Sequence, residues 1–175
     1  MQSVKVVVTG PFNAGKTTFI KSVSEITVLS TERQVSDVSG EGGGETTVAM
    51  DFGRITVSDD VVLYLFGTPG QERFSFMWET LSEGMLGFVL LVDAQAPDKI
   101  EDARSMIRFF TDMSDVPFVV AGNKVGAEDV DALRALRTEL ELDDKVPLLP
   151  VDARDKDSVK AVLLGLLYEI LESME

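Results

Sequence analysis

Cysteine and histidine are both missing from this 175-residue chain. Their absence removes thiol nucleophiles, disulfides, imidazole general bases and the usual zinc ligands together. It also leaves no site for prenyl or palmitoyl attachment, and a Met1-Gln2 start does not suit N-myristoylation. Basic residues are few: 16 Lys and Arg stand against 30 Asp and Glu, for a net charge of −14. Nucleic acid and anionic lipid both need a basic face, so neither is expected as a partner. The acidity is most simply read as solubility. Long apolar runs are lacking too, so no membrane span is expected, and because the sequence goes straight into a strand no signal peptide is expected either. The expectation is a cytoplasmic protein whose membrane contacts, if any, are made through a partner.

The length suits a single domain, residues 1–175, with one substantial core. Its organising stretch is Gly10-Pro11-Phe12-Asn13-Ala14-Gly15-Lys16-Thr17-Thr18. The β-branched run Val4 to Thr9 before it reads as a buried strand, and Phe19 to Val23 after it reads as a helix. Strand, G-x-x-x-x-G-K-T and helix together form the context in which a P-loop match carries meaning. Backbone N–H groups from Asn13 to Thr18, at a helix N-terminus, make a ready anion site. Gly10 and Gly15 allow the tight turn and the close approach to phosphate. Lys16 would neutralise the β- and γ-phosphates, and the Thr17 hydroxyl would ligate Mg²⁺. The chain is expected to bind a nucleoside triphosphate.

Strand-like and helix-like patterns alternate from end to end, which predicts an α/β fold with a mostly parallel sheet. Strands are expected near 4–9, 47–57, 61–66, 86–93, 117–121 and 147–150. Helices are expected near 15–25, 74–83, 97–113, 128–140 and 156–174. The short Ser58-Asp59-Asp60 link makes the second and third strands an antiparallel hairpin. Ser30 to Glu45, with Gly42-Gly43-Gly44 inside it, reads as a long functional loop. On the last helix, Val159, Val162, Leu163, Leu166, Leu167, Ile170 and Leu171 read as a core-facing stripe. Phe74, Phe76, Met77 and Trp78 read either as core or as an exposed partner surface.

Ligands in open α/β sheets bind beyond the carboxyl ends of the strands. The segments found there are Thr47 with Asp51, Gly67 to Arg73, Asn123-Lys124 and Asp152-Ala153-Arg154. In order and spacing these resemble a small Ras-like GTPase across essentially the whole chain. Thr47-Val48-Ala49-Met50-Asp51-Phe52 resembles the switch I motif T-I-G-V-D-F, and Gly67-Thr68-Pro69-Gly70-Gln71-Glu72-Arg73-Phe74 resembles the switch II motif D-T-A-G-Q-E-R-F. Asn123-Lys124-Val125-Gly126 resembles the guanine motif N-K-x-D, and Asp152-Ala153-Arg154 resembles S-A-K. The variant with glycine at 67 is similar to prokaryotic GTPases related to the gliding-polarity protein MglA and the actinobacterial conservon GTPases, whose usual partners are Roadblock/LC7-domain proteins. The resemblance implies a P-loop NTPase three-layer sandwich, with a mostly parallel six-stranded sheet, one antiparallel strand and helices on both faces. It also implies Mg²⁺ and GTP or GDP as ligands, Thr47 on Mg²⁺, Gly70 at the γ-phosphate, Gln71 orienting the attacking water, and Asn123, Lys124 and Ala153 around the base.

Two positions depart from the family pattern. Gly67 replaces the aspartate associated with Mg²⁺, and Gly126 replaces the aspartate that reads guanine. Because the hairpin is antiparallel, Asp51 is expected opposite Gly67, where it would hold a Mg²⁺-bound water. Glu128 or Asp129 are the candidates to compensate for Gly126, and without one of them guanine would lose the acceptor for its N1 and N2 donors. Turnover in this superfamily is slow without an arginine, which is worth about 10³–10⁵ in rate. Arg33, Arg54 and Arg73 are the candidates within the chain, with Arg33 preferred. The leading expectation is an Mg²⁺-dependent GTPase switch. The alternatives are a nucleotide-binding scaffold with little hydrolysis or relaxed base selectivity, and a P-loop kinase.

Overall fold

A computed structural model describes the backbone of residues 1–36, 45–126 and 128–175, and side chains at all of these except 29–36 and 45–49. The chain runs β1 (Gln2–Thr9), α1 (Lys16–Val23), β2 (Leu29–Ser36), β3 (Glu45–Ser58), β4 (Val61–Gly67) and α2 (Phe76–Ser82). It continues through β5 (Gly87–Asp93), α3 (Ile100–Met113), β6 (Phe118–Asn123), α4 (Val130–Glu139), β7 (Leu148–Val151) and α5 (Lys156–Ser173). Short 3₁₀ turns at Glu72–Phe74 and Pro97–Lys99 precede α2 and α3.

Among the described residues these strands form one sheet in the order β2-β3-β4-β1-β5-β6-β7. The pairs β4-β1, β1-β5, β5-β6 and β6-β7 are parallel, and β3 runs antiparallel to both of its neighbours. This is the α/β P-loop NTPase architecture, with the six expected strands, one of them antiparallel.

A seventh strand, β2, extends the sheet, and here the expectation of a loop from Ser30 is corrected. The reason lies in β3, which begins earlier than expected. Its pairing with β4 starts only at Asp51 opposite Gly67, so the backbone from Glu45 to Met50 has no partner on that side. Residues 29–36 supply one, from Leu29 opposite Phe52 to Ser36 opposite Glu45, as the pairing of backbone polar groups demands. Gly42-Gly43-Gly44 lies outside the described residues.

The strands are apolar at nearly every position because both sheet faces are covered. Alternate residues of β5 serve the two sides. Val89 and Leu91 join Phe19, Ile20 and the α5 residues Val159, Val162, Leu163, Leu166 and Ile170. Phe88, Leu90 and Val92 join Trp78, Ala103, Met106, Phe110 and Leu136 from α2, α3 and α4. The α5 stripe is therefore core as expected, except that Leu171 is 62% exposed. It lies about 100° around the helix from Ile170, on the flank shared with the exposed Leu164 and Tyr168. Of the group Phe74, Phe76, Met77 and Trp78, Phe74 and Trp78 are buried and Phe76 is exposed.

Candidate functional site

The turn from β1 into α1 can be made only by glycine at two points. At Gly10, φ is +153°, and a Cβ there would stand 2.1 Å from the Leu91 carbonyl oxygen. At Gly15, φ is +105°, and a Cβ would stand 2.8 Å from the Asn123 side-chain nitrogen. Asn13 between them is also left-handed, at φ +66°. Gly15 caps α1 without a side-chain bond, so the first-turn N–H groups face the cleft. Not every candidate N–H does so: Ala14 donates to the Pro11 carbonyl at 3.1 Å and is buried.

The Lys16 ammonium donates to the loop's own carbonyls, Gly10 at 2.5 Å and Pro11 at 3.0 Å. Its surroundings are apolar enough that desolvation lowers its pKa to about 8, although the nearby Asp51 charge pulls the other way. Thr17 and Thr18 open onto the same cleft, of about 510 Å³, which Asp51 and Thr68 to Gln71 also line.

Asp51 stands where strand pairing puts it, opposite Gly67. A Cβ on Gly67 would be 3.2 Å from the Asp51 Cβ and 3.4 Å from its Oδ2. The carboxylate thus fills the space beside Gly67, and it accepts a 2.6 Å hydrogen bond from the Thr17 hydroxyl. A hydroxyl and a carboxylate oxygen held together at the head of α1 are hard donors of the kind Mg²⁺ takes.

The segment around Gly70 lies close on the β1–α1 turn. A Cβ on Gly70 would come 2.6 Å from both the Lys16 ammonium and the Phe12 backbone nitrogen. Only glycine fits there. The segment is anchored from below by Trp78, whose indole N–H donates to the Pro69 carbonyl at 2.7 Å. Trp78 itself is buried against Phe109 and Phe110. Gln71 lines the cleft, and its side-chain oxygen accepts from Arg73 Nε at 2.8 Å. Arg73 also lies over the Phe74 ring.

A second cleft, of about 620 Å³, opens beside the first and is walled by Asn123 to Gly126 and by Val151 to Arg154. Asn123 is buried and works inward. Its Nδ2 donates to the Ala14 carbonyl at 3.1 Å, and its Oδ1 accepts from the backbone N–H groups of Lys124 and Ala153. The Ala153 N–H expected to face a base is therefore shared with Asn123. Ser22 of α1 donates to the Ala153 carbonyl, tying this loop to α1. Lys124 adopts φ +68° and pairs with Asp93 at 2.8 Å. Asp152 pairs with Arg154, whose hydrogen bonds hold its carboxyl below the usual range.

Arg33 and Thr47 sit in β2 and β3, at registers Arg33–Val48 and Gln34–Thr47; their side chains lie outside the described set. Arg54 is set apart from the cleft, on β3 opposite Tyr64, with its N–H on the Ser24 hydroxyl at the far end of α1. Asp93 and Gln95 were missed in the sequence. The signal available for them was position alone, since both leave the carboxyl end of β5.

A family model described as "Conserved hypothetical ATP binding protein" matches residues 8–173. The uncharacterized protein MJ1339 of Methanocaldococcus jannaschii is 31% identical over 128 residues, 73% of this chain and 74% of that protein. ADP-ribosylation factor-like protein 8c of Arabidopsis thaliana is 24% identical over 169 residues, 93% of this chain and 85% of that protein. The phosphate-binding turn, the two adjoining clefts and a family match over nearly the full length agree: the chain belongs to the conserved hypothetical ATP binding proteins, a nucleotide-binding P-loop family.

Proposed function

We propose that this protein is a Ras-like nucleotide switch that hydrolyses a nucleoside triphosphate slowly with Mg²⁺. The observation that carries the reading is the 2.6 Å Thr17–Asp51 hydrogen bond, made where the Gly67 side chain is missing. Thr17 and Asp51, joined by Thr47 from β3, would hold Mg²⁺. The ion would supply charge neutralisation at the β- and γ-phosphates.

The chain's own groups do the rest. The Gly10–Thr18 turn receives the phosphate oxygens on its N–H groups, and Lys16 leaves the Gly10 and Pro11 carbonyls to meet the β- and γ-phosphates. Gly70, already against the loop, places its N–H toward the γ-phosphate. Gln71 orients water for in-line attack, so catalysis rests on positioning and electrostatics rather than on a titrating base. Loss of the γ-phosphate releases Thr47 and Gly70, the two contacts by which the switch segments sense it. Arg33 is the preferred source of a catalytic arginine within the chain.

GTP is the first choice of nucleotide. The likeness of Asn123-Lys124-Val125-Gly126 and Asp152-Ala153-Arg154 to the guanine motifs of Ras-like GTPases supports that choice, while the family description favours ATP. The switch neighbourhood is the surface for a protein partner, supported by Phe76, which is 47% exposed beside it. A Roadblock/LC7-domain protein is the partner class implied by the likeness to the MglA and conservon GTPases.

One observation favours the scaffold reading. The Gln71 oxygen that would accept a hydrogen bond from the attacking water is held by Arg73. Multiple-turnover phosphate release from GTP and ATP, with and without Mg²⁺, separates the two. Slow Mg²⁺-dependent turnover that falls in Gln71→Leu supports the switch. Tight binding without turnover, unaltered by that substitution, replaces it with the scaffold.

A further inference from the structure

The missing base-reading carboxylate at Gly126 is supplied from two residues further on. We propose that Glu128 is the residue that selects the base, and that the base it selects is guanine. The inference rests on the nucleotide-binding reading above and adds the base to it.

The space that a side chain at position 126 would enter is already claimed. A Cβ built on Gly126 would lie 3.0 Å from Glu128 Oε1, 3.2 Å from its carboxyl carbon and 3.5 Å from Oε2. Gly126 is itself a wall of the second cleft. The Glu128 carboxylate therefore occupies the neighbourhood an aspartate at 126 would have occupied, reached from a different backbone position.

The other acidic groups near this cleft are engaged. Asp93 is paired with Lys124, and Asp152 with Arg154. Asp129, the competing candidate, accepts the Ala132 N–H at 3.0 Å as the N-cap of α4. Among the described residues, the Glu128 carboxylate has no such hydrogen bond or ion pair.

The chemistry then chooses the base. A carboxylate only accepts, with two oxygens side by side. Guanine's base edge offers two donors side by side, N1–H and the N2 amine. Adenine offers an acceptor at N1, which would oppose the carboxylate. Xanthine keeps N1–H but sets a carbonyl against the second oxygen. Leaving one such group unpaired costs a factor of about 10 to 100 in affinity.

The test is competition binding of GDP, ADP and XDP to the full chain, with Lys16→Ala as the control for phosphate binding. Wild type is expected to prefer GDP by about tenfold or more. Glu128→Ala should lose that preference, with GDP weakened and ADP bound at least as tightly as by wild type. Glu128→Gln should weaken GDP and strengthen XDP, because a carboxamide both accepts from N1–H and donates to the xanthine carbonyl. Asp129→Ser, which keeps a capping oxygen but removes the carboxylate, should retain the GDP preference. Thermal melts of each variant confirm that it is folded. Equal GDP and ADP affinities that still depend on Lys16 would overturn this inference and leave the nucleotide-binding reading standing. A GDP preference that survives both Glu128 variants would also overturn it. Failure of every nucleotide to bind wild type would remove both.

Discussion

Putting an aspartate back at position 67 is expected to harm the protein, and removing Asp51 is expected to rescue it. A Cβ at 67 would meet the Ile20 methyl at 3.0 Å and the Asp51 Cβ at 3.2 Å, with the Asp51 Oδ2 at 3.4 Å. Gly67→Asp therefore sets two carboxylates roughly 4 Å apart. At an effective dielectric of 20 that repulsion is about 4 kcal/mol. The site opens to solvent on one side, so about 2 kcal/mol is the expected loss in metal-free protein at pH 7. Asp51→Ala alone removes the acceptor for the Thr17 hydroxyl, a charged hydrogen bond worth about 1.5–3 kcal/mol at most. In the double variant the new carboxylate has the site to itself, so the cycle should show a favourable coupling of about 2 kcal/mol. Urea denaturation in EDTA gives the four stabilities, and Mg²⁺ titrations of nucleotide binding give the functional counterpart. Mg²⁺ dependence should be lost in Asp51→Ala and regained in the double variant. If the two substitutions add within about 0.5 kcal/mol, as independent sites do, then Asp51 does not hold the space beside Gly67 and the argument fails.

Three further outcomes follow from the same geometry. Trp78, the chain's one tryptophan, bonds to the carbonyl just before Gly70, so its emission should change when a non-hydrolysable triphosphate replaces the diphosphate; an unchanged spectrum would mean switch II stays put. Lys16 has a folded pKa of about 8, below the ordinary value of 10.5. The unfolded chain therefore binds the extra proton between those values, and stability of the ligand-free protein rises with pH across that window. Relative to Lys16→Met, wild type should gain about 2 kcal/mol from pH 7.5 to 10.5 after discounting for solvent at the cleft mouth, and denaturation curves that keep a constant separation would contradict the enclosed ammonium. Gly10→Ala would drive a methyl into the Leu91 carbonyl, with an expected loss of about 2–4 kcal/mol and of nucleotide binding; a folded variant that still binds nucleotide would show the turn to be more permissive than its backbone implies.

Parts of this structure that obey a period were legible in the chain. The apolar run from Leu86 to Val92 announces a strand buried on both faces, and its alternate residues do divide between the two cores. The antiparallel logic of the β3–β4 hairpin is enough to set Asp51 beside Gly67 from the sequence, because register propagates residue by residue along a strand. Strand β2 was not legible. At the sheet edge, Ser30-Thr31-Glu32-Arg33-Gln34 carries polar residues where buried strands carry apolar ones, and it pairs because β3 needs a neighbour. The choice between Glu128 and Asp129 was equally closed to sequence reading, since the path of a turn has no period and the α4 cap claims one of the two carboxylates.

These cases bear on how a departure from a motif should be understood. Taken one position at a time, Gly67 and Gly126 are two lost carboxylates, and their loss argues against metal binding and base selection. A glycine in place of an aspartate also vacates a volume, and in a close-packed protein a vacated volume at a cleft is filled. At both positions the nearest atoms to the missing side chain include those of another carboxylate, from Asp51 in one case and Glu128 in the other. That the same substitution pattern occurs twice in one cleft system, each time with charge returned to the same neighbourhood, favours relocated function over decayed function. The two sites are independent, one reached through strand register and the other through a turn, so the Asp51 cycle and the Glu128 selectivity series test the principle separately.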